Sequence, residues 1–323
     1  MASVAAAGAA PYPASGTSGP GLSLTMPDRS ITVRVPATTA NLGPGFDAVG
    51  LALTLYANIT VSVAPEGRRK ERPDPIRRMV LAAVRAAYAH ISERAPRGLQ
   101  VASTAEFPVG RGLGASAAAR AAGLVAANSL LDQRLSEAEL LSLGTELEGH
   151  ADNIAPALFG GLQVVAVEGS HIARVAPALK SGLRCAGFIP ELSMPTHESR
   201  DLLPKRLSRS DAVHNSSRAA LLVAALTSGA WDQLRVATDD RLHQHARRKL
   251  FPRMFDLFEA ATDAGAFAAY LSGGGSTVIA LTDARRAARV QAALESAAEA
   301  YAIPGRSFVA EPNRRGAAVT NGS

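Results

Sequence analysis

Residues Phe107–Ala119 read FPVGRGLGASAAA, and the fold turns on what that stretch can hold. Gly110, Gly112 and Gly114 alternate just ahead of Ala115 to Leu131, an alanine-rich run that predicts a helix with side chains small enough for close packing. Glycine takes up positive φ and lets the backbone approach a ligand, and the free N–H groups that open a helix favour an anion. The stretch therefore predicts a phosphate cradle, while a plain glycine turn explains the loop alone equally well. Two familiar phosphate motifs fare worse. A Walker A loop needs a lysine, and this stretch has none. A dinucleotide fingerprint is met in form by Gly110, Gly112 and Ala115. However, Pro108 and a long loop precede them, and Asp132 follows a helix rather than a second strand.

Upstream, Ile31–Val35 predicts a strand, and a second runs from Val49 to Val63 after the turn NLGPGFD. Apolar residues at helical spacing predict an amphipathic helix over 76–92, followed by a strand over 99–104. Downstream, Ser136 and Glu139 form a capping box that starts a helix reaching about Glu148. Strands follow near 161–167 and 183–189, then several helices between 198 and 263. Strands at 267–271 and 277–281, a helix over 283–300 and a strand at 307–310 complete the pattern. This order predicts an α+β protein whose second half has a ferredoxin-like split of strands and helices. Three regions follow: a disordered tail over 1–29, rich in Ala, Gly, Ser and Pro, a first domain over 30–177 and a second over 178–323.

Composition narrows the function classes. Apolar residues make up 47% and charged ones 19%, enough to bury a core. The net charge of +6 would suit an anionic partner, but much of the excess sits in GRRKERPDPIRR, Gly67 to Arg78, which lacks the aromatics of a base-stacking platform. No nucleic acid partner is expected. One cysteine, Cys185, in the apolar run LRCAGFI, excludes an internal disulfide and reads as a core residue. No apolar run reaches a membrane span and no secretory signal is evident, so the expected location is the cytoplasm with no membrane partner.

Several polar residues stand out. Asn41 and Asp47 bracket the first glycine turn, where they could bind the polar ends of an amino acid or simply bond their own backbone. Glu148 ends a helix, where a carboxylate can hold Mg²⁺ through oxygen. Arg247 and Arg248 lie in the basic run ARRKLFP, which taken alone reads as a solvated face.

Together these motifs resemble the GHMP kinase family. FPVGRGLGASAAA is similar to its P-x-G-x-G-L-G-S-S-A loop, with Ala115 in place of the first serine. PATTANLGPGFDAVGLAL, from Pro36, and ELEGHADNIAPALFGG, from Glu146, are similar to motifs of the family's amino acid kinases, as is MPTHESRDLLP from Met194. The resemblance covers nearly everything from Ile31 onward. It implies the two-domain GHMP kinase fold, with a ribosomal-protein-S5-like domain followed by a ferredoxin-like one.

The resemblance further implies a phosphotransferase that moves the γ-phosphate of ATP to a side-chain hydroxyl, with homoserine as acceptor and ATP and Mg²⁺ as cofactors. Another hydroxy amino acid, a non-catalytic binder and a nucleotide-dependent oxidoreductase are the rivals. ATP contacts fall to Pro108, Gly110, Arg111, Gly112, Leu113, Gly114, Ala115, Ser116, Ala117 and Gly274, and the metal to Ser116 and Glu148. The amino acid falls to Asn41, Asp47, His150, Asp152, Asn153, Thr196, Arg200 and Arg247, with Asp152 and Arg200 as the catalytic pair. The glycines of LSGGGST, Gly273 to Gly275, turn a hairpin and buttress the phosphate loop. The link at 64–75 is short and rich in Pro and Arg, where the family has a longer stretch near the adenine, so the adenine pocket is expected to differ. A homodimer is left open.

Overall fold

The structure, a computed structural model, describes residues 30–63 and 74–320. The tail over 1–29 and most of the 64–75 link lie outside the described residues.

The first half comprises β1 (Ser30–Asn41), β2 (Gly45–Val63), α1 (Pro75–His90), β3 (Leu99–Ala105), α2 (Ala115–Leu130), α3 (Glu137–Glu148), α4 (Ile154–Phe159), β4 (Leu162–Glu168) and β5 (His171–Val175). The second half continues with β6 (Leu183–Pro190), α5 (Thr196–Asp201), α6 (Arg209–Ser228), α7 (Leu234–Ala237), α8 (Gln244–Arg247) and α9 (Met254–Asp263). After these come β7 (Ala268–Leu271), β8 (Val278–Asp283), α10 (Ala287–Ala300), β9 (Gly305–Ala310) and β10 (Ala318–Thr320).

Both strands of the first hairpin are longer than expected. β1 runs on through PATTAN to Asn41, and β2 begins at Gly45 rather than Val49. Pro36 is tolerated inside β1 because the register shifts between it and Ala37, so the missing N–H falls at a bulge. Burial in β1 alternates around Arg34 and becomes continuous from Val35. The strand there passes between two layers: Thr38 bonds Asn153 at the start of α4, and Thr39 bonds Tyr270 on β7.

The first sheet has the order β10-β1-β2-β4-β5, with β3 paired to the far half of β2. Helices α1 to α4 cover its inner face, and α2 is central, with Ala117, Ala118, Ala121 and Ala122 buried. The second sheet has the order β7-β8-β6-β9, wholly antiparallel, with α9 and α10 packed on it, which is the ferredoxin-like arrangement. One apolar cluster joins the two halves, running from Val33 and Leu113 to Cys185, Tyr270 and Leu281. Burial pushes the Cys185 thiol up to about 12.

Three elements are absent from the sequence reading. α4, of six residues, and β5, of five, are too short to carry a clear pattern. β10 matters more, because it leaves the second half and pairs with β1 over Thr32–Arg34. The chain reaches it along β2, where Asn313 N–H donates to Ala52 O and Glu311 N–H to the Thr54 hydroxyl. The C-terminal segment therefore belongs to the first sheet, although it falls inside the expected 178–323 region. Three exposed residues carry too little periodicity to announce a strand.

Candidate active site

Where the two halves meet, one cavity is lined by Asn41, Asp47, Gly112, Ser116, Glu148, His150, Asp152, Asn153, Arg200 and Arg247, among others. The glycine loop forms one wall. Gly110, Gly112 and Gly114 all have positive φ, and Gly114 caps the start of α2. At Gly112 a Cβ would lie 2.1 Å from Ser272 O, and at Gly114 one would lie 1.9 Å from the Thr38 hydroxyl. These approaches require glycine.

The hairpin between β7 and β8 supports the loop from behind. Ser272 Oγ donates to Gly112 O at 2.6 Å, and Thr277 N–H donates to Arg111 O at 3.0 Å. The contact runs through Ser272, Gly273, Gly275 and Thr277. Gly274 sits instead beside Arg247 and Ser199, on the far side of the cavity.

Ser116 opens α2 and Glu148 closes α3, and the Ser116 hydroxyl donates to Glu148 Oε1 at 2.5 Å. Both are hard oxygen donors on the cavity wall beside the helix start. A hydroxyl with a carboxylate fits Mg²⁺, which takes oxygen ligands and is usually held by one or two carboxylates plus phosphates. Arg120, one helical turn beyond Ser116, pairs with the other Glu148 oxygen. It was not singled out in the sequence because its partner lies 28 residues away.

The opposite wall is built from both halves. Asp47 accepts two bonds from Arg200, at 2.9 and 2.6 Å, which raises the Arg200 pKa. Arg247 is buried, donating to Gly273 O at 2.9 Å and to His243 Nδ1 at 2.7 Å. Its Nε has no hydrogen-bond partner among the described residues. Burial first, then the Arg200 charge, lowers its pKa to about 10. Of the two adjacent arginines, Arg248 faces elsewhere, over Phe255. Phe46 lies within 5.3 Å of the Arg200 guanidinium and 5.6 Å of that of Arg247. Phe46 sits inside the first glycine motif, but its bearing on the arginines is visible only in space.

Asp152 Oδ1 bonds His150 Nδ1 at 2.6 Å and receives a weaker 3.4 Å bond from Asn153. Donor atoms of Asp47, His150 and Asp152 lie within 4.8 Å of one another, an acidic cluster that faces the two arginines. Asn153 is committed elsewhere, accepting from the Thr38 hydroxyl at 2.7 Å.

Asn41 is a turn residue in part, as its local pattern allows. It has φ of 69°, and its Oδ1 accepts from Asp47 N–H at 3.1 Å. Its Nδ2 donates to Gly273 O at 3.0 Å, tying the first turn to the β7–β8 hairpin.

Four residues of the predicted phosphate loop do not line the cavity. Leu113 and Ala117 are fully buried in the core, and Pro108 stands one step outside. Arg111 reaches away to Pro190 O at 3.0 Å and Glu191 O at 2.8 Å, so its side chain anchors the loop to β6. Thr196 opens α5, three residues before Ser199. Met79, Val109 and Met194 supply apolar lining; Val109 and Met194 lie inside the quoted motifs at positions to which no role was assigned.

Comparison with known proteins agrees with this geometry. Residues 78–161 match the GHMP kinases N terminal domain, and residues 220–300 the GHMP kinases C terminal domain. A homoserine kinase of Deinococcus radiodurans is 41% identical over 276 residues, covering 81% of this chain and 87% of that protein. One from Desulfitobacterium hafniense is 36% identical over 90% of this chain and 99% of that protein.

Among solved structures, homoserine kinase from Cytophaga hutchinsonii superposes with a TM-score of 0.81 at 28% identity. It covers 90% of this chain and 97% of that one. A mevalonate kinase from L. major, at 16% identity and a TM-score of 0.66 over 88% and 97% of the two chains, shares the fold. No helix among the described residues is long and apolar enough to cross a membrane. With this glycine loop, this pair of sheets and these relatives, the chain belongs to the GHMP kinase family, among its homoserine kinases.

Proposed function

We propose that the protein transfers the γ-phosphoryl group of ATP to the side-chain hydroxyl of L-homoserine, giving O-phospho-L-homoserine for threonine biosynthesis in the cytoplasm. The observation that carries this reading is one cavity with a helix-start glycine loop on one wall and two arginines with two aspartates on the other. Phosphoryl transfer needs positioning and charge neutralisation more than covalent help, and those two walls supply both.

The loop amides from Gly110 to Ser116 cradle the phosphates at the start of α2. Ser116 and Glu148 would hold Mg²⁺, which would supply positive charge to offset that of the phosphates. Arg200 and the buried Arg247, whose Nε lacks a partner, receive the substrate carboxylate. Asp47 receives the ammonium group, its charge complementing that of the amino acid. Asp152, held by His150, is assigned here as acceptor of the hydroxyl proton, and Asn41 and Asn153 keep the two turns in register.

Release of ADP from Mg·ATP should be measured with homoserine, threonine and serine as acceptors. Homoserine should give the highest kcat/KM. Preference for another hydroxy amino acid would move the acceptor, and nucleotide binding without transfer would make the chain a non-catalytic binder.

A further inference from the structure

The pairing of Arg120 with Glu148 has a consequence for how a divalent ion enters. Ser116 and Arg120 are four residues apart on α2, so both side chains project from one face towards the end of α3. Ser116 takes Glu148 Oε1 and lines the cavity with it. Arg120 takes Oε2 and does not line the cavity, so it stands behind the carboxylate. Both side chains are shielded, at 21% exposure for Arg120 and 7% for Glu148, so solvent screens the pair poorly.

A neighbouring cation of this kind acts on a metal site in two ways. It fixes the orientation of the ligand, as groups behind a metal ligand generally do. It also offsets the negative charge that would draw in the ion and repels the ion directly.

We infer that Arg120 is a fixed cation behind the metal carboxylate, so that Glu148 takes a divalent ion only together with the phosphates of a nucleotide. The inference rests on the reading of Glu148 as the metal ligand. Glu148 is balanced by Arg120 in the free protein, and the four negative charges of the triphosphate restore the attraction. The metal then enters with ATP rather than ahead of it. Nothing in the reaction requires Arg120 to touch the substrate, so it is a positioning residue with an electrostatic role.

Mn²⁺ binding followed by electron paramagnetic resonance tests this without turnover. Titrations would use the full-length protein, with and without ADP, for the wild type, Arg120→Gln, Arg120→Lys and Glu148→Gln. Without nucleotide, Arg120→Gln should bind Mn²⁺ at least about tenfold more tightly than the wild type, because a like charge near the site is gone. Arg120→Lys, which keeps the charge, should stay close to the wild type. With ADP present the difference should shrink, and there Glu148→Gln should weaken binding.

Unchanged or weaker Mn²⁺ binding in Arg120→Gln would overturn the inference while leaving the metal reading intact, provided Glu148→Gln lowers affinity. Equal tightening in Arg120→Lys would also overturn it, since charge would not be the cause. With ADP present, unchanged affinity in Glu148→Gln would remove the metal reading itself and the inference with it. Should Arg120→Gln fail to fold, Arg120→Leu, which suits the apolar flank of α2, gives the same comparison.

Discussion

Asp47 and Arg200 meet in a two-point ion pair across 153 residues of sequence, Oδ2 to Nη1 at 2.9 Å and Oδ1 to Nη2 at 2.6 Å. Asp47 comes from the first turn of the N-terminal sheet and Arg200 from α5, so the pair closes the seam between the two halves. Each is about one-third exposed, so solvent reaches both partners. In the proposed function the amino acid's carboxylate binds Arg200 and its ammonium group Asp47.

Arg200→Lys keeps the charge and loses the fork. The KM for the amino acid should rise by ~10- to 100-fold, with kcat falling less, because a bidentate guanidinium is replaced by a point charge. Steady-state kinetics with homoserine varied at saturating ATP would check it, and a loss confined to kcat would contradict a binding role.

Glu148→Gln removes the carboxylate oxygen that accepts from the Ser116 hydroxyl. Turnover should fall by ~10²-fold or more, since charge stabilisation is the main device in phosphoryl transfer. Raising Mg²⁺ should recover only part of the rate. Single-turnover measurements would separate this from slow product release.

Gly112→Ala meets Ser272 O at a φ of 81°, so either the loop or the β7–β8 hairpin must shift. The expected cost is about 1–3 kcal/mol of stability together with weaker nucleotide binding. Chemical denaturation and ADP titration would read the two effects. A stable variant with ordinary ADP affinity would mean that the loop is looser than its packing implies.

His243 is fully buried between Gly43 O, to which Nε2–H donates, and Arg247, from which Nδ1 accepts. Burial, helped by the Arg247 charge and opposed by Asp240, lowers its pKa to about 4. The folded state thus favours neutral imidazole. Its contribution to stability is complete above the unfolded value of 6.5 and is lost as pH falls from there towards 4. Denaturation free energies measured from pH 7 to 4 should decline across that window, and His243→Gln should flatten the decline.

Much of the architecture was legible because its signals are local. The Ser136–Glu139 capping box starts α3 as its spacing says, and the alternating glycines end at α2. β10 was not legible, because its three residues become a strand only by meeting β1. The same distinction holds in the site. Arg247 lies in a cluster that reads as a solvated face, yet His243, Gly273 and Phe46 surround it inside the seam. Arg111 sits within the phosphate motif, yet its guanidinium finds carbonyls at the end of β6.

By itself the sequence determined where the backbone can take positive φ, where helices start and which faces are apolar, since each depends on neighbours within about one turn. Only the tertiary structure decided which charges meet. Asp47 reaches Arg200, and Arg120 reaches Glu148, because packing two sheets against shared helices brings distant turns within hydrogen-bond range. Charge pairing depends on separation in space, which the order of residues along the chain does not specify.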